Sequence, residues 1–299
     1  MAVGVFDGVH RAHQVLLGRA VGESHATGGI ALAFTFRNHP RSVLSPGQTP
    51  KLLTPWPEKR RLLERMRVDA IVALEFDAAL ARTPAEDFVR DVLVGRCRAA
   101  TIHSGWNFRF GHGGAGNPAL LERLAPVHGY RYEQLEPIVD GGERVSSTRV
   151  RDALLAGDAR LAAALLGRPH MAVAPVVPGD QLGRKIGFPT ANLAVDPQVQ
   201  LPADGVYAVR VAVDDQAPWR DAMMNIGFRP TVGGREHRVE AHLLGFDGEL
   251  AGKRLRVAFI ARLRDERRFE SMGALGGQLA RDREDAARVL AATPAPPPP

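Results

Sequence analysis

Two histidines three residues apart, His10 and His13, follow the apolar run Ala2–Phe6 and the tripeptide Phe6-Asp7-Gly8. Gly8 permits a tight turn, and residues three apart on a helix share a face, so both imidazoles can point the same way. The free N–H groups of a helix start suit an anion. Two histidines beside them suit the charge that builds on a phosphoryl group during displacement. Zinc is the competing use of such a pair, and it lacks a third ligand at a standard spacing. Gly4, Phe6, Asp7 and Gly8 are therefore candidate nucleotide-loop residues, with His10 and His13 as candidate catalytic groups.

Three further segments fit the same site. Thr35-Phe36-Arg37-Asn38-His39-Pro40 ends a strand-like run. Gly105-Trp106-Asn107-Phe108-Arg109-Phe110-Gly111 ends another, and Gly113, Gly114 and Gly116 then allow close backbone approach. Ser146-Ser147-Thr148-Arg149-Val150-Arg151 puts hydroxyls at a helix start beside two arginines, a set that matches phosphate oxygens but taken alone reads as an ordinary helix cap with solvated arginines. Asparagine occurs only at 38, 107, 117, 192 and 225, and four of these five fall inside the segments singled out for chemistry.

In the second half, Gly179, Gly183 and Gly187 punctuate a loop that could wrap phosphate, although the Lys-Ser/Thr ending of a Walker loop is missing. Thr190 and Asn192 alternate, so in an extended segment both oxygens point one way and suit magnesium with phosphate. Glu240 and His242 share a face of Val239–Leu244. A carboxylate facing into a small barrel is costly unless it is used, and such a group could take a proton from an alcohol attacking ATP. Asn225–Thr231 and Phe246–Leu250 read as loops at one barrel mouth.

The elements that must position these groups fall into two halves. Strand-like runs at Ala2–Phe6, Ile30–Phe36, Ala70–Phe76 and Ala99–Ser104 alternate with helical patterns such as Glu58–Arg67 and Pro84–Val94, with Thr83 as the expected cap. This predicts a parallel sheet with its ligand at the strand carboxyl ends. After a helical stretch over Thr148–Leu166, short β runs at Val206–Val213, Ala222–Ile226, Val239–Leu244 and Leu255–Arg262 predict an antiparallel barrel or sandwich, closed by a helix around Ser271–Leu290. The expected domains are 1–168 and 169–291, with 292–299 a disordered proline-rich tail. A first strand cut short at Val3–Phe6 leads to the expectation that residues precede Met1.

The 299 residues are 45% hydrophobic and 24% charged, an ordinary globular balance that excludes wholesale disorder. One cysteine excludes a disulfide framework, and no apolar run approaches the ~20 residues of a membrane span. A cytoplasmic protein is expected. The net charge of +6 permits nucleic acid without choosing between it and nucleotides, and with the histidine pair it raises an RNA-binding protein as a third reading. Against that, the cations are dispersed, only Lys51, Lys59, Lys185 and Lys253 are lysines, and aromatic residues make up 6%. No nucleic-acid or membrane partner is expected, and the oligomeric state stays open.

With these segments in this order, the chain from Gly4 to about Leu290 resembles the bacterial bifunctional riboflavin kinase/FAD synthetase family. The family's G-x-F-D-G-x-H-x-G-H appears as Gly4–His13, with Ala12 in place of the glycine of its H-x-G-H. Its H-P, S-S-T-x-[IV]-R, G-R-x-x-G-F-P-T-A-N, N-I-G-x-R-P-T and E-x-H elements appear as His39-Pro40, Ser146–Arg151, Gly183–Asn192, Asn225–Thr231 and Glu240–His242. The resemblance implies a nucleotidyltransferase-type, Rossmann-like α/β domain followed by a flavokinase β-barrel with a C-terminal helix. It implies phosphorylation of riboflavin to FMN, then adenylylation of FMN to FAD with release of pyrophosphate. ATP is the co-substrate in both steps and Mg²⁺ the implied metal. Glu240 would be the base, Thr190 and Asn192 would hold Mg²⁺, and Gly179, Gly183, Arg184, Gly187 and Pro189 would cover ATP. His10, His13, Asn107, Ser147, Thr148 and Arg149 would serve the second ATP. His39, Pro40, Asn225, Arg229 and Thr231 would contact flavin. The alternative is a riboflavin kinase whose N-terminal half is a weakened or regulatory nucleotide-binding module.

Overall fold

In the computed structural model, which describes residues 1–179, 183, 187–231 and 234–297, the apolar runs of the first half form a five-stranded parallel sheet. Its elements run β1 (Ala2–Val3), α1 (Arg11–Ala26), β2 (Leu32–Phe36), α2 (Arg41–Leu44), α3 (Trp56–Arg65), β3 (Ala70–Leu74), α4 (Ala78–Ala81), α5 (Ala85–Asp87, continuing as a π-helical Phe88–Arg96), β4 (Thr101–Gly105), α6 (Pro118–His128) and β5 (Arg131–Leu135). The strand order is β3-β2-β1-β4-β5, so Ala2 of β1 pairs with Ala33 on one side and His103 on the other. The chain leaves β1 towards β2 and later returns to lay β4 on its far side. That switch point opens a crevice at the carboxyl edge between β1 and β4. Apolar clusters cover the sheet, one around Phe34, Phe36, Phe88 and Phe110, another around Phe6, Leu17 and Leu63. Pro84, not Thr83, stands at the start of α5; the Thr83 hydroxyl instead donates to the Ala79 carbonyl at 3.3 Å, closing α4. A hairpin of β6 (Val139–Asp140) and β7 (Glu143–Arg144) follows the sheet.

The chain divides into two units, Met1–Ser147 and Thr148–Pro299, so the helices before the barrel group with it, whereas the composition places the break after residue 168. The expected single helical stretch is two helices, α7 (Ser147–Leu155) and α8 (Ala159–Leu166). They break at Gly157, whose φ is 76°, and Asp158 caps α8 by accepting from Leu161 N–H at 2.8 Å.

Six antiparallel strands then close a barrel: β8 (His170–Val177), β9 (Ala191–Leu193), β10 (Gly205–Val213), β11 (Gln216–Thr231), β12 (Gly234–Leu243) and β13 (Arg254–Arg264), in the order β10-β11-β12-β9-β8-β13. Closure resolves the choice between barrel and sandwich. Strand alternation sends Tyr207, Val209, Met224, Ile226, Val239, Ala241, Val257 and Phe259 inward, where they fill the interior. The outward residues Ala208, Met223 and Ile260 are covered by Ala286 and Leu290 of α9 (Met272–Ala291). Ser271 caps α9 by accepting from Ala274 N–H at 3.1 Å.

Polar clamps hold α9 on the barrel. Arg264 binds Asp282 through three contacts of 2.9, 3.1 and 2.7 Å. Arg210 donates to the carbonyls of Leu290 and Thr293 at 2.8 and 2.9 Å. The proline-rich tail, expected to be disordered, is held as far as Pro297, whose carbonyl accepts from the Trp219 indole at 3.0 Å. Proline lacks an N–H but keeps its carbonyl, and a side-chain donor on the barrel satisfies that of Pro297.

Candidate functional site

Each unit carries its own candidate site. In the first, the loops after β1, β2 and β4 meet the carboxyl edge of the sheet. The loop after β1 turns through Phe6, Gly8 and Val9 at φ of 53°, 84° and 41°. Strain of this kind in two non-glycine residues concentrates at functional loops. A Cβ on Gly4 would lie 2.9 Å from the buried Phe6 ring, so that ring folds back only over a glycine. Asp7 holds the loop in place: its carboxylate accepts from the Leu53 and Thr54 backbone at 3.1 and 3.0 Å and from the Thr54 hydroxyl at 3.2 Å. Gly8 N–H donates to that same hydroxyl at 2.9 Å.

His10 caps α1, its Nδ1 accepting from His13 N–H at 3.4 Å. The two rings stack with centroids 3.6 Å apart and planes 16° from parallel, and Phe6 meets His13 edge-on at 5.2 Å. Burial pushes the His13 pKa well below the usual 6.5, and His10 and Lys59 push it further the same way. His13 is therefore neutral at pH 7, and its buried Nδ1 has no hydrogen-bond partner. Lys59 of α3 is 4% exposed and donates to the carbonyls of Val5 and Phe36 at 3.2 and 2.6 Å. Burial lowers its pKa to about 8, with Asp7 opposing. It thus ties together the chain beyond β1 and the end of β2 beneath the histidine pair.

The other expected residues of this half divide in role. Asn38 braces its loop, its amide donating to the Phe76 carbonyl at 2.9 Å and accepting from Phe76 N–H at 2.8 Å. His39 Nδ1 accepts from Arg41 N–H at 3.2 Å, and Pro40 opens α2. Asn107 is exposed just beyond β4. Ser147 donates its hydroxyl to the Asp7 carbonyl at 2.8 Å, a second hold on the strained loop. Thr148 and Arg149 follow it in α7 and fall in the second unit.

In the second unit, strand register builds the site. Asn192 pairs with Glu240, Glu240 with Asn225, Asn225 with Val206 and Val206 with Arg264. Directly paired residues share a face, so these five form one row across β9, β12, β11, β10 and β13. All five line a cavity of about 290 Å³, together with Gly183, Phe188, Thr190, Arg238, His242, Glu266, Arg267 and Phe269. Alternation leaves open whether Glu240 faces the barrel interior or the outside; in the structure it faces outward. The interior is taken by the apolar neighbours Val239 and Ala241, and the polar row lies between the barrel wall and Met272, Leu275 and Leu279 of α9. Groups on the outer wall keep access to water and ligand, which a packed interior denies.

The glycine-rich segment is shaped by this wall. A Cβ on Gly179 would fall 1.9 Å from Asn192 Nδ2, and one on Gly183 would fall 2.2 Å from the Phe188 carbonyl. Gly187 turns at φ 80°. His242 Nδ1 bonds the Pro189 carbonyl at 2.8 Å, pinning the segment to β12. Arg184 lies outside the described residues, and Arg229 and Thr231 are described only as backbone of β11. Hard oxygens at Thr190 and Asn192, beside Glu240, fit a magnesium ion that keeps most of its ligands from water and phosphate. Among the described residues no cluster of three or more His, Cys, Asp and Glu forms an all-protein metal site.

Motif reading missed Lys59, Thr54, Arg264, Glu266 and Arg267. Lys59 carried a signal, being one of four lysines in a chain whose other cations are arginines. Glu266 bears on Gly227, where a Cβ would lie 2.0 Å from its carboxylate, and accepts from Phe228 N–H at 3.3 Å.

A family model described as FAD synthetase matches residues 1–149, and one described as riboflavin kinase matches residues 166–290. The chain is 38% identical over 282 residues to the bifunctional riboflavin kinase/FMN adenylyltransferase of Escherichia coli (strain K12), covering 94% of this chain and 90% of that one. It is 31% identical over 298 residues to the protein of the same description from Bacillus subtilis (strain 168), covering 97% and 92%. A crystal structure described as a macrolide-efflux protein from Streptococcus pneumoniae superposes with a TM-score of 0.87 at 31% identity, covering 96% and 93%. Among the described residues of this chain, no helix is long and apolar enough to cross a membrane.

Proposed function

The chain belongs to the bifunctional riboflavin kinase/FMN adenylyltransferase family, and from that premise we propose which side chains carry each of its two reactions. The kinase-only alternative has no support, since the FAD synthetase model spans the first half.

In the second unit, riboflavin presents its 5′-hydroxyl to Glu240, which takes the proton as the oxygen attacks the γ-phosphorus of ATP; FMN and ADP result. Thr190 and Asn192 hold Mg²⁺, which when bound neutralises charge on the phosphate oxygens. Gly179, Gly183 and Gly187 leave the loop open to close approach by phosphate, and Asn225, opposite Glu240, orients the flavin end. The observation that carries this assignment is the row Asn192–Glu240–Asn225, which points a carboxylate and two amides into one cavity of about 290 Å³.

In the first unit, the FMN phosphate attacks the α-phosphorus of a second ATP, giving FAD and pyrophosphate. His10 and His13 stabilise the charge developing there, His13 as a neutral ring. Asn107 helps to orient ATP, and His39 and Pro40 lie on the flavin side. Asp7, Ser147 and Lys59 act indirectly, by fixing the loop that carries the histidines. Positioning and charge neutralisation supply most of the rate, because phosphoryl transfer asks little covalent chemistry of the protein.

The test is chromatography of products after incubation of the purified chain with ATP, Mg²⁺ and either riboflavin or supplied FMN, repeated with Glu240→Gln and with the double substitution His10→Ala, His13→Ala. FMN and FAD from the native chain, with one step lost in each variant, are the expected results. Loss of both steps from either folded variant would refute the division of labour.

A further inference from the structure

The tryptophan at position 106 takes no part in the steps assigned so far. It follows Gly105, the last residue of β4, and its backbone N–H donates to the Leu135 carbonyl at the end of β5 at 3.1 Å. The sheet therefore fixes its place at the carboxyl edge, next to Asn107. The tryptophan residue keeps 38% of its surface exposed. The Arg144 guanidinium lies 4.3 Å from the ring centroid, within cation–π range.

Arg144 ends β7, and its hairpin is anchored towards the histidine pair. Asp140 of β6 meets Arg11 at the start of α1 at 2.5 Å. Ser147, three residues beyond Arg144, bonds the Asp7 carbonyl at 2.8 Å. The loops after β1 and β4 both leave the carboxyl edge at the switch point, so Trp106 and the loop that carries His10 and His13 lie at the same edge of the sheet. A large flat ring left partly exposed at a nucleotide crevice, with a cation on one face, is built for stacking.

We propose that Trp106, backed by Arg144, is the stacking platform for a planar heterocycle in the adenylylation step, and so a specificity-determining residue of that site. Two rings share this chemistry there, the adenine of ATP and the isoalloxazine of FMN. The proposal rests on the adenylyltransferase assignment above. Stacking on Trp106 holds the heterocycle while the histidine loop meets the phosphates, so removing it weakens binding and leaves the chemical step in place.

The test is steady-state FAD formation from supplied FMN and ATP by the full chain, varying each substrate in turn, for Trp106→Ala, Trp106→Phe and Arg144→Gln. Trp106→Ala is expected to raise the KM of one substrate about tenfold, the usual scale for loss of an aromatic–base stack, with kcat within about twofold. Trp106→Phe restores most of the affinity, and the exposed Arg144→Gln raises the same KM by about threefold. A rise confined to FMN identifies the isoalloxazine, and one confined to ATP identifies the adenine. Unchanged KM values in Trp106→Ala and Arg144→Gln, or a fall in kcat alone, overturn the proposal. Absence of FAD from the native chain would instead defeat the assignment on which it rests.

Discussion

Asp282→Ala probes the clamp between α9 and the barrel wall. The Asp282 side chain is 2% exposed and accepts three contacts from Arg264 at 2.7–3.1 Å, plus the Gln278 amide at 2.7 Å. Its loss leaves the Arg264 guanidinium, 18% exposed, with the Asp265 carbonyl at 2.9 Å and the face of Phe269 at 5.6 Å. Breaking one side of a buried ion pair costs about 3–5 kcal/mol. The partial exposure of Arg264 and its remaining partners place this case near the lower end, about 3 kcal/mol. For a unit of this size each kcal/mol moves Tm by roughly 2–4 °C, so calorimetry should show the barrel transition falling by about 6–12 °C. Arg264→Met with Asp282→Leu should recover much of that loss, because replacing both partners by apolar groups strands no charge. A drop below about 2 °C in the single variant, or additive losses in the double one, would refute the reasoning.

Glu240→Gln should lower FMN formation by at least about a hundredfold while conversion of supplied FMN to FAD persists, and the paired His10→Ala, His13→Ala change should do the reverse, both read by product chromatography. Gly179→Ala drives a Cβ to 1.9 Å from Asn192 Nδ2, so the amide must move; riboflavin phosphorylation should fall by about tenfold or more with FAD synthesis retained. The His13 imidazole should show a flat NMR shift from pH 8 down through 6.5, because its folded pKa lies below that unfolded value. The stability it lends is complete above pH 6.5 and is lost as pH falls, since the unfolded chain then takes a proton that the folded one refuses; a His13 midpoint near 6.5 would contradict this.

The four apolar runs of the first half and the four of the second were legible because buried strands read as continuous or alternating hydrophobic residues. β5 was not, since Arg131-Tyr132-Glu133-Gln134-Leu135 is an edge strand with a mostly exposed face and carries no apolar run. The motif glycines were legible, and the structure gives their reasons at Gly4, Gly179 and Gly183 in the side chains and carbonyls that crowd them. The face of β12 that carries Glu240 was not legible. Val239, Glu240, Ala241 and His242 alternate equally well either way, and only closure of the barrel and arrival of α9 decide the matter. Lys59 was hidden for a related reason: in an amphipathic helix it reads as one more solvated cation until the ends of β1 and β2 are brought above it.

The row of paired residues across the barrel makes the proposed kinase centre intolerant of changes in strand length. One residue inserted in β12 ahead of Glu240 would swap its odd and even positions, sending a carboxylate among Tyr207, Val209 and Phe259 and a valine into the cavity. Two inserted residues would keep Glu240 on its proper side but slide it ~7 Å past Asn192 and Asn225. Length variation among descendants of this chain is therefore confined to the turns, and the proposed catalytic carboxylate is inherited as a count of residues as much as an identity.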